Sequence, residues 1–182
     1  EAERSMTWEF SVLDGIQHLF SSTWGNWFWP LFTKLGSGGI IWILLALWML
    51  LVKKDRQRGV MTLVALLLCL LVGNLLLKNI VARERPFSFL PNMGLLIAIP
   101  NDYSFPSGHT MSSFAAAYCL SLGRHWWVKV IYFTLASAMA FSRLYLYVHF
   151  PTDILAGVVL GLISGILAKK IIGQVKKQPW GH

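Results

Sequence analysis

At 182 residues the chain is long enough for one domain; 55% of it is hydrophobic, only 13% is charged, and it carries nine tryptophans. That balance excludes an ordinary soluble helical domain, whose amphipathic helices would need a charged outer face that these apolar runs lack. The net charge of +8 would suggest nucleic acid in a soluble protein, but here the basic residues sit in short links between apolar runs, so no nucleic-acid partner is expected.

The elements follow in chain order. The start, "EAERSMTWEF", has no basic segment leading into an apolar one, so no cleavable signal peptide is expected. Residues 6–22 read as an amphipathic helix lying in the membrane interface. Val12, Ile16, Leu19 and Phe20 share one face, with Asp14, Gln17 and His18 off it. Asn26 to Val52 reads as one segment with a tryptophan cluster at its interfacial start and a spanning latter half. The run "VMTLVALLLCLLVGNLLL", Val60 to Leu77, carries no charge and approaches the roughly 20 apolar residues that cross a bilayer, and a span is expected from Val60 to about Val81. Further spans are expected from Ser107 to about Leu122, around Val130 to Phe141, and from Pro151 to Ala168. Cys69 and Cys119 each lie inside an apolar run and read as packing residues.

The expected fold class is therefore all-α: an integral membrane bundle of five transmembrane helices, six if the leading helix also crosses, behind an N-terminal amphipathic helix. The chain is expected to form one membrane-embedded domain over residues 1–182, with a transmembrane core at 26–172 and a cytoplasmic tail at 173–182. Alternate links share a side of the membrane. One side collects Lys53, Lys54, Arg56, Arg58, Arg124, Lys129, Lys169, Lys170, Lys176 and Lys177, ten of the 16 basic residues, and should be cytoplasmic. The expectation is a multi-pass protein of the cell inner (plasma) membrane whose polar motifs face the extracytoplasmic side.

Three polar groups stand at that outer side: "KNIVARERP" (Lys78–Pro86), "PSGH" (Pro106–His109) and "SRLYLYVHFPTD" (Ser142–Asp153). Ionisable residues in so apolar a chain are costly and point to function. Singly each has an ordinary reading: a snorkelling lysine, a helix cap, an interfacial histidine. Together they do not. Lys78 and Arg85 are seven apart and share a face if the helix runs that far, although Pro86 disfavours helix at Arg85. Lys78, Arg85 and Arg143 make three positive charges at one end of a bundle, which suits a multiply charged anion, phosphate above all. A helix starting at Ser107 and Gly108 aims free N–H groups at the same place, and Gly108 lets an anion approach the backbone. Asp153 lies four residues from His149 across Pro151, a spacing that lets a carboxylate hold one imidazole nitrogen and free the other. One histidine so held can be a nucleophile, and His109 can deliver a proton to a leaving oxygen. The carboxylates near these motifs are too few for magnesium, and no Cys/His set suggests zinc, so neither metal nor other cofactor is expected.

These motifs resemble the signature of the type 2 phosphatidic acid phosphatases: a Lys, six residues, Arg-Pro; then Pro-Ser-Gly-His; then Ser-Arg, five residues, His, three residues, Asp. All three parts match without substitution between Lys78 and Asp153. The resemblance implies His149 as nucleophile, Asp153 as its orienting carboxylate and His109 as general acid. It implies Lys78, Arg85, Arg143, Ser107 and Gly108 as the phosphate-binding set. It also implies metal-independent hydrolysis of a phosphate or diphosphate monoester of a membrane lipid through a phosphohistidine. Undecaprenyl diphosphate is the favoured substrate, with phosphatidylglycerophosphate, phosphatidic acid and lipid A phosphate as rivals. Two other classes compete. A non-catalytic lipid-binding or scrambling protein would need the cations but not His149, Asp153 and His109. The haloperoxidase chemistry of soluble relatives would not need the apolar helices. The partners expected are a membrane lipid substrate and the bilayer; the sequence leaves the oligomeric state open.

Overall fold

The computed structural model describes residues 2–90 and 94–175, and among them the only regular elements are helices. Helix α1 covers Ala2–Phe20, α2 Thr23–Leu35, α3 Ile40–Leu51 and α4 Arg56–Leu68. A π-helical stretch, Cys69–Leu77, carries α4 into the short α5, Lys78–Val81. Helices α6 (Gly108–Ser121), α7 (Trp126–Tyr145) and α8 (Pro151–Val175) complete the bundle. The tail expected at 173–182 begins inside α8; Lys176, Lys177 and the rest of it lie outside the described residues.

Helix α6 is the axis of the bundle, packed against α8, α7 and α4. It is buried on almost every side: Met111, Ala115 and Cys119 meet Met61, Ala65, Cys69 and Ala168, while Ala116 and Leu120 meet Trp42 and Met49. Both cysteines are free and buried, in keeping with a packing role. A central helix must be small-sided, and α8 matches it with Gly157, Gly161 and Gly165, each four residues apart. A Cβ on Gly161 would stand 2.4 Å from the Met111 carbonyl oxygen, and one on Gly157 2.9 Å from that of Ser107. Backbone thus rests on backbone, the close approach that small residues permit between membrane helices.

The outer surface is apolar instead. Leu44, Leu47, Trp48 and Leu51 on α3, and Leu155, Val159, Ile163 and Leu167 on α8, are exposed, as a lipid-facing surface requires. By length and composition two helices can cross a membrane, those starting at Arg56 and Pro151, and a third if α2 and α3 form one bent span. Five spans were expected. The all-helical membrane bundle stands, but α6 is only 14 residues long, and its Ala, Ser and Gly face protein instead of lipid, so it falls outside that measure.

One expectation about the N-terminal third changes, and the packing of α1 adds to another. Residues 26–52 were read as one segment, but α2 and α3 meet at 43°. Gly38 and Gly39 take φ of 60° and 72°, a left-handed pair that glycine adopts without steric cost. Helix α1 meets the bundle through its polar edge. Glu9 and Leu13 are buried, whereas Val12, Leu19 and Phe20 are exposed. Leu13 and Phe10 pack on Tyr147 and Phe150, while Tyr147 Oη donates to Asp14 Oδ1 at 2.7 Å and Gln17 donates to the Tyr145 carbonyl. Tertiary hydrogen bonds pull the polar edge onto the bundle and leave the apolar one outside.

Candidate active site

The cations converge by a different route from a shared helical face. The helix ends at Val81, where Ala82 takes φ 48° and its N–H bonds the Lys78 carbonyl at 2.9 Å. Arg85 is extended, as the residue before a proline tends to be. It doubles back, and Lys78 and Arg85 meet on one carboxylate. Asp102 pairs with Lys78, accepts from Arg85 Nη2 at 2.6 Å, and offers its carbonyl to Arg85 Nε at 2.8 Å. Burial opposes ionisation of Asp102, but the two cations outweigh it and hold its carboxyl at about 2. Arg143, on the last turn of α7, donates Nη1 to Thr33 Oγ1 at 2.6 Å, and its buried Nε has no partner among the described residues. Lys78, Arg85 and Arg143 are all buried.

His149 lies in the loop between α7 and α8, 1% exposed. Its Nε2 is 3.3 Å from Arg85 Nη1, which also donates to the Val148 carbonyl at 2.7 Å. On the other edge, Nδ1 is 3.7 Å from Asp153 Oδ2, too long for a direct hydrogen bond. The Ser104 hydroxyl stands beside both, 2.5 Å from Asp153 Oδ2 and 3.4 Å from His149 Nδ1. Asp153 Oδ2 also accepts the Phe150 N–H at 2.8 Å, and Oδ1 accepts from Arg83 Nη1 at 2.7 Å. A proton on His149 Nδ1 suits this carboxylate side and leaves the Nε2 lone pair toward the cations. Burial first, then Arg85, Arg143 and Lys78, push His149 well below the usual histidine range, so it is neutral at pH 7.

Helix α6 brings the second histidine. Ser107 is its N-cap and accepts from the Thr110 N–H at 3.5 Å, with Thr110 Oγ1 3.0 Å from the same hydroxyl. The Ser107 N–H in turn donates to the Asp153 carbonyl at 3.2 Å, tying the Pro-Ser-Gly-His segment to the start of α8. His109 is set against Gly36, where a Cβ would come within 3.1 Å of its Cδ2, and its buried Nε2 has no partner among the described residues.

One cavity of about 870 Å³ joins these groups. Lys78, Arg85, Arg143, Gly108, His109 and His149 line it, with Asp102; so do Leu63, Leu66, Leu67 and Leu70, about two to four turns before Lys78 on the same helical run, and Leu95, Leu96 and Ile97. Of the residues singled out in the sequence, six therefore share one wall. Asp153 stands behind His149, off that wall, and the Ser107 hydroxyl is turned to its own helix. Among the described residues no group of three or more His, Cys, Asp or Glu converges as a metal site would. The arrangement offers a neutral imidazole held from behind, three cations for an anion before it, and a second imidazole nearby.

Several members of this network went unnoticed in the sequence. Arg83 spans Asp153, Thr152 Oγ1 at 2.6 Å, and Glu9, which reaches across from α1 and accepts from Thr152 Oγ1 at 2.6 Å. The Arg83 guanidinium also lies 4.1 Å above the Phe150 ring. Its place beside Arg85 in "ARERP" was the one available signal. Ser104, Asp102 and Thr33 carried none, because their partners are distant in sequence.

Comparison with known proteins agrees with the motifs. Residues 58–177 match the model of the PAP2 superfamily. The chain is 32% identical over 139 residues to an undecaprenyl-diphosphatase of Sulfolobus acidocaldarius, covering 75% of this chain and 67% of that protein. It is 30% identical to phosphatidylglycerophosphatase B of Bacillus subtilis, covering 93% of this chain and 78% of the relative. The crystal structure of Aquifex aeolicus LpxE superposes with a TM-score of 0.78 at 29% identity, over 88% of this chain and 94% of that one. Other curated relatives are longer than the shared part: the chain covers 60% of the Bacillus licheniformis bacitracin transport permease protein BcrC.

Proposed function

The chain belongs to the PAP2 superfamily, and from that premise we propose that it is a membrane lipid phosphatase that cleaves a terminal phosphate through a phosphohistidine. Undecaprenyl diphosphate is the substrate we favour, since the Sulfolobus relative bears that name; phosphatidylglycerophosphate and lipid A phosphates, named in other relatives, are the rivals, with phosphatidic acid. The observation that carries the proposal is a single cavity lined both by three cations and two histidines and by leucines that precede Lys78 by about two to four turns of the same helical run. A phosphorylated lipid has the same division of charge.

In this reading Lys78, Arg85 and Arg143 bind the phosphoryl oxygens, displacing the Asp102 carboxylate, with the N–H groups at Gly108 assisting. Ser107 assists by capping that helix. His149 Nε2 attacks phosphorus, forming an N–P bond as the bond to the leaving oxygen breaks. His109 gives that oxygen its proton. It then takes a proton from water, which attacks the phosphohistidine and releases inorganic phosphate. Asp153, through Ser104, keeps His149 oriented and balances the charge it acquires. No metal enters these steps.

The test is phosphate release from a panel of detergent-solubilised lipids, with and without EDTA. Wild type should release phosphate under both conditions, and His149→Ala should lose about a thousandfold or more in turnover while still folding. Near-normal turnover of His149→Ala, or activity abolished by EDTA and restored by magnesium, rejects the mechanism. Tight lipid binding without phosphate release would favour the lipid-binding or scrambling alternative.

A further inference from the structure

Asn74 is the one polar side chain in the π-helical stretch "CLLVGNLLL", and nothing in the catalytic scheme uses it. An asparagine in an apolar helix ordinarily satisfies its amide on its own backbone, as Asn79 does: its Nδ2 donates to the Leu75 carbonyl at 2.7 Å. Asn74 does not. Its Oδ1 is buried and has no hydrogen-bond partner among the described residues, a cost that an apolar side chain would avoid. The side chain instead reaches the mouth of α6. A Cβ on Gly108 would come within 2.7 Å of Asn74 Oδ1, so that glycine is what admits the amide. Helical widening of the π type often marks functional positions, and here it sets Asn74 on the cavity wall.

Its depth gives it meaning. Asn74 lies four residues before Lys78, about one turn further along the helix toward Leu70 and Leu67. It therefore stands between Lys78 and the cavity-lining leucines Leu67 and Leu70 along the helix, beside Gly108. A substrate with its phosphoryl group on Lys78 and its tail among the leucines presents its leaving-group oxygens at this height.

We propose that Asn74 is a substrate-contact residue whose carboxamide binds the leaving group, by Nδ2–H donation to an oxygen that lies between the scissile phosphorus and the lipid tail. In a lipid diphosphate that oxygen belongs to the second phosphate; in a glycerolipid monophosphate such as lysophosphatidic acid it belongs to the glycerol part. The inference rests on the phosphatase reading above. Asn74 confers preference for substrates with an oxygen-rich leaving group over those without one.

The experiment measures kcat and KM of wild type, Asn74→Leu and Asn74→Thr on farnesyl diphosphate, lysophosphatidic acid and nitrophenyl phosphate, with thermal unfolding in detergent alongside. Asn74→Leu should lose about 10- to 100-fold in kcat/KM on at least one of the two lipids, the range for a hydrogen bond to a charged group. Its loss on nitrophenyl phosphate should stay under about twofold, and Asn74→Thr should recover part of the lipid activity. The lipid with the larger loss identifies which oxygen is bound. Equal losses on all three substrates would make Asn74 a structural residue, and no loss on any would remove it from the site; either overturns the inference. If Asn74→Leu does not fold, Asn74→Thr is read by the same criteria. A wild type that hydrolyses none of the three rejects the phosphatase reading itself.

Discussion

Arg83 and Asp153 are joined at 2.7 Å on the side of the carboxylate away from the cavity, and the same guanidinium is held by Glu9 on the first helix. The carboxylate behind His149 is therefore paired by a residue inside the first motif, at one of the six positions that its signature leaves unspecified. Arg83→Met would leave Glu9 and Asp153 buried without their cation, a change that costs about 3–5 kcal/mol. A lowered unfolding temperature and slower phosphate release should appear together. Glu9→Gln should be milder, since a glutamine oxygen can still accept from Thr152. If Arg83→Met unfolds at the wild-type temperature, the pair does not hold the site.

The two ends of the pH scale separate two groups. His149 is shifted down, so its neutral form is the folded one; stability is lost as pH falls below the ordinary histidine value of about 6.5, where the unfolded chain takes up the proton. The acid limb of kcat/KM due to His149 should accordingly lie well below 6.5. Asp102 is also shifted down, to about 2. As a carboxylate its stabilising charge is fully present above about 4 and fades toward 2, so its hold on Lys78 and Arg85 should not loosen anywhere between pH 5 and pH 8. A pH–rate profile whose acid limb is centred at about 6.5 would contradict the shift of His149.

The two histidines should differ in how much the leaving group matters. His109→Ala should keep more relative activity on nitrophenyl phosphate, whose leaving group needs no proton, than on a lipid monophosphate. The gap should be about 10²-fold, in the usual range for general acid catalysis. His149→Ala should lose both alike. Equal losses for His109→Ala on the two substrates would leave it a phosphate-binding or structural residue.

Contact between α6 and α8 makes its own prediction. Gly161→Ala would force a methyl toward the Met111 carbonyl and should destabilise by about 1–3 kcal/mol. Gly165→Ala, which meets the Tyr118 ring instead of backbone, should cost less. Gly173→Ala, with nothing within 4 Å, should be neutral. Thermal unfolding of the three variants checks the order.

Sidedness can be read from single cysteines, because Cys69 and Cys119 are both buried. With the site facing outward, Ser88→Cys should react with an impermeant thiol reagent in intact cells and Lys54→Cys should not; both positions are exposed. The reverse pattern would put the site on the cytoplasmic face.

The local parts of this site were legible in sequence and the long-range parts were not. Lys78, Arg85, His109, Arg143 and His149 stood out because ionisable side chains are conspicuous in apolar helices, and the Ser107 cap is a property of its own turn. Nothing in the sequence marked Glu9; only the fold carries Arg83, 74 residues away, to meet it. Asp102 carried no signal, since its role comes from Lys78 and Arg85, 24 and 17 residues earlier in the chain, meeting on its carboxylate. The 43° break was written in "GSGG", but an apolar run on either side hid it. The packing of α1 through Glu9, Asp14 and Gln17 was not legible because hydrophobic periodicity does not register polar tertiary contacts.

The glycine steps of α8 bear on how the protein meets membranes of different thickness. A bilayer too thin or too thick can tilt a helix or draw its ends toward the headgroups at a modest cost per ångström. Sliding α8 along α6 is another matter, because carbonyls and Cα atoms already touch at Gly157 and Gly161. The distance from His109 on one helix to the chain leading into the other, where His149 sits, is thus a backbone dimension. Changes in lipid composition meet the exposed face of α8 directly, but they can shift α8 along α6 only against that backbone contact, which mechanically insulates the chemistry from the solvent in which it is dissolved.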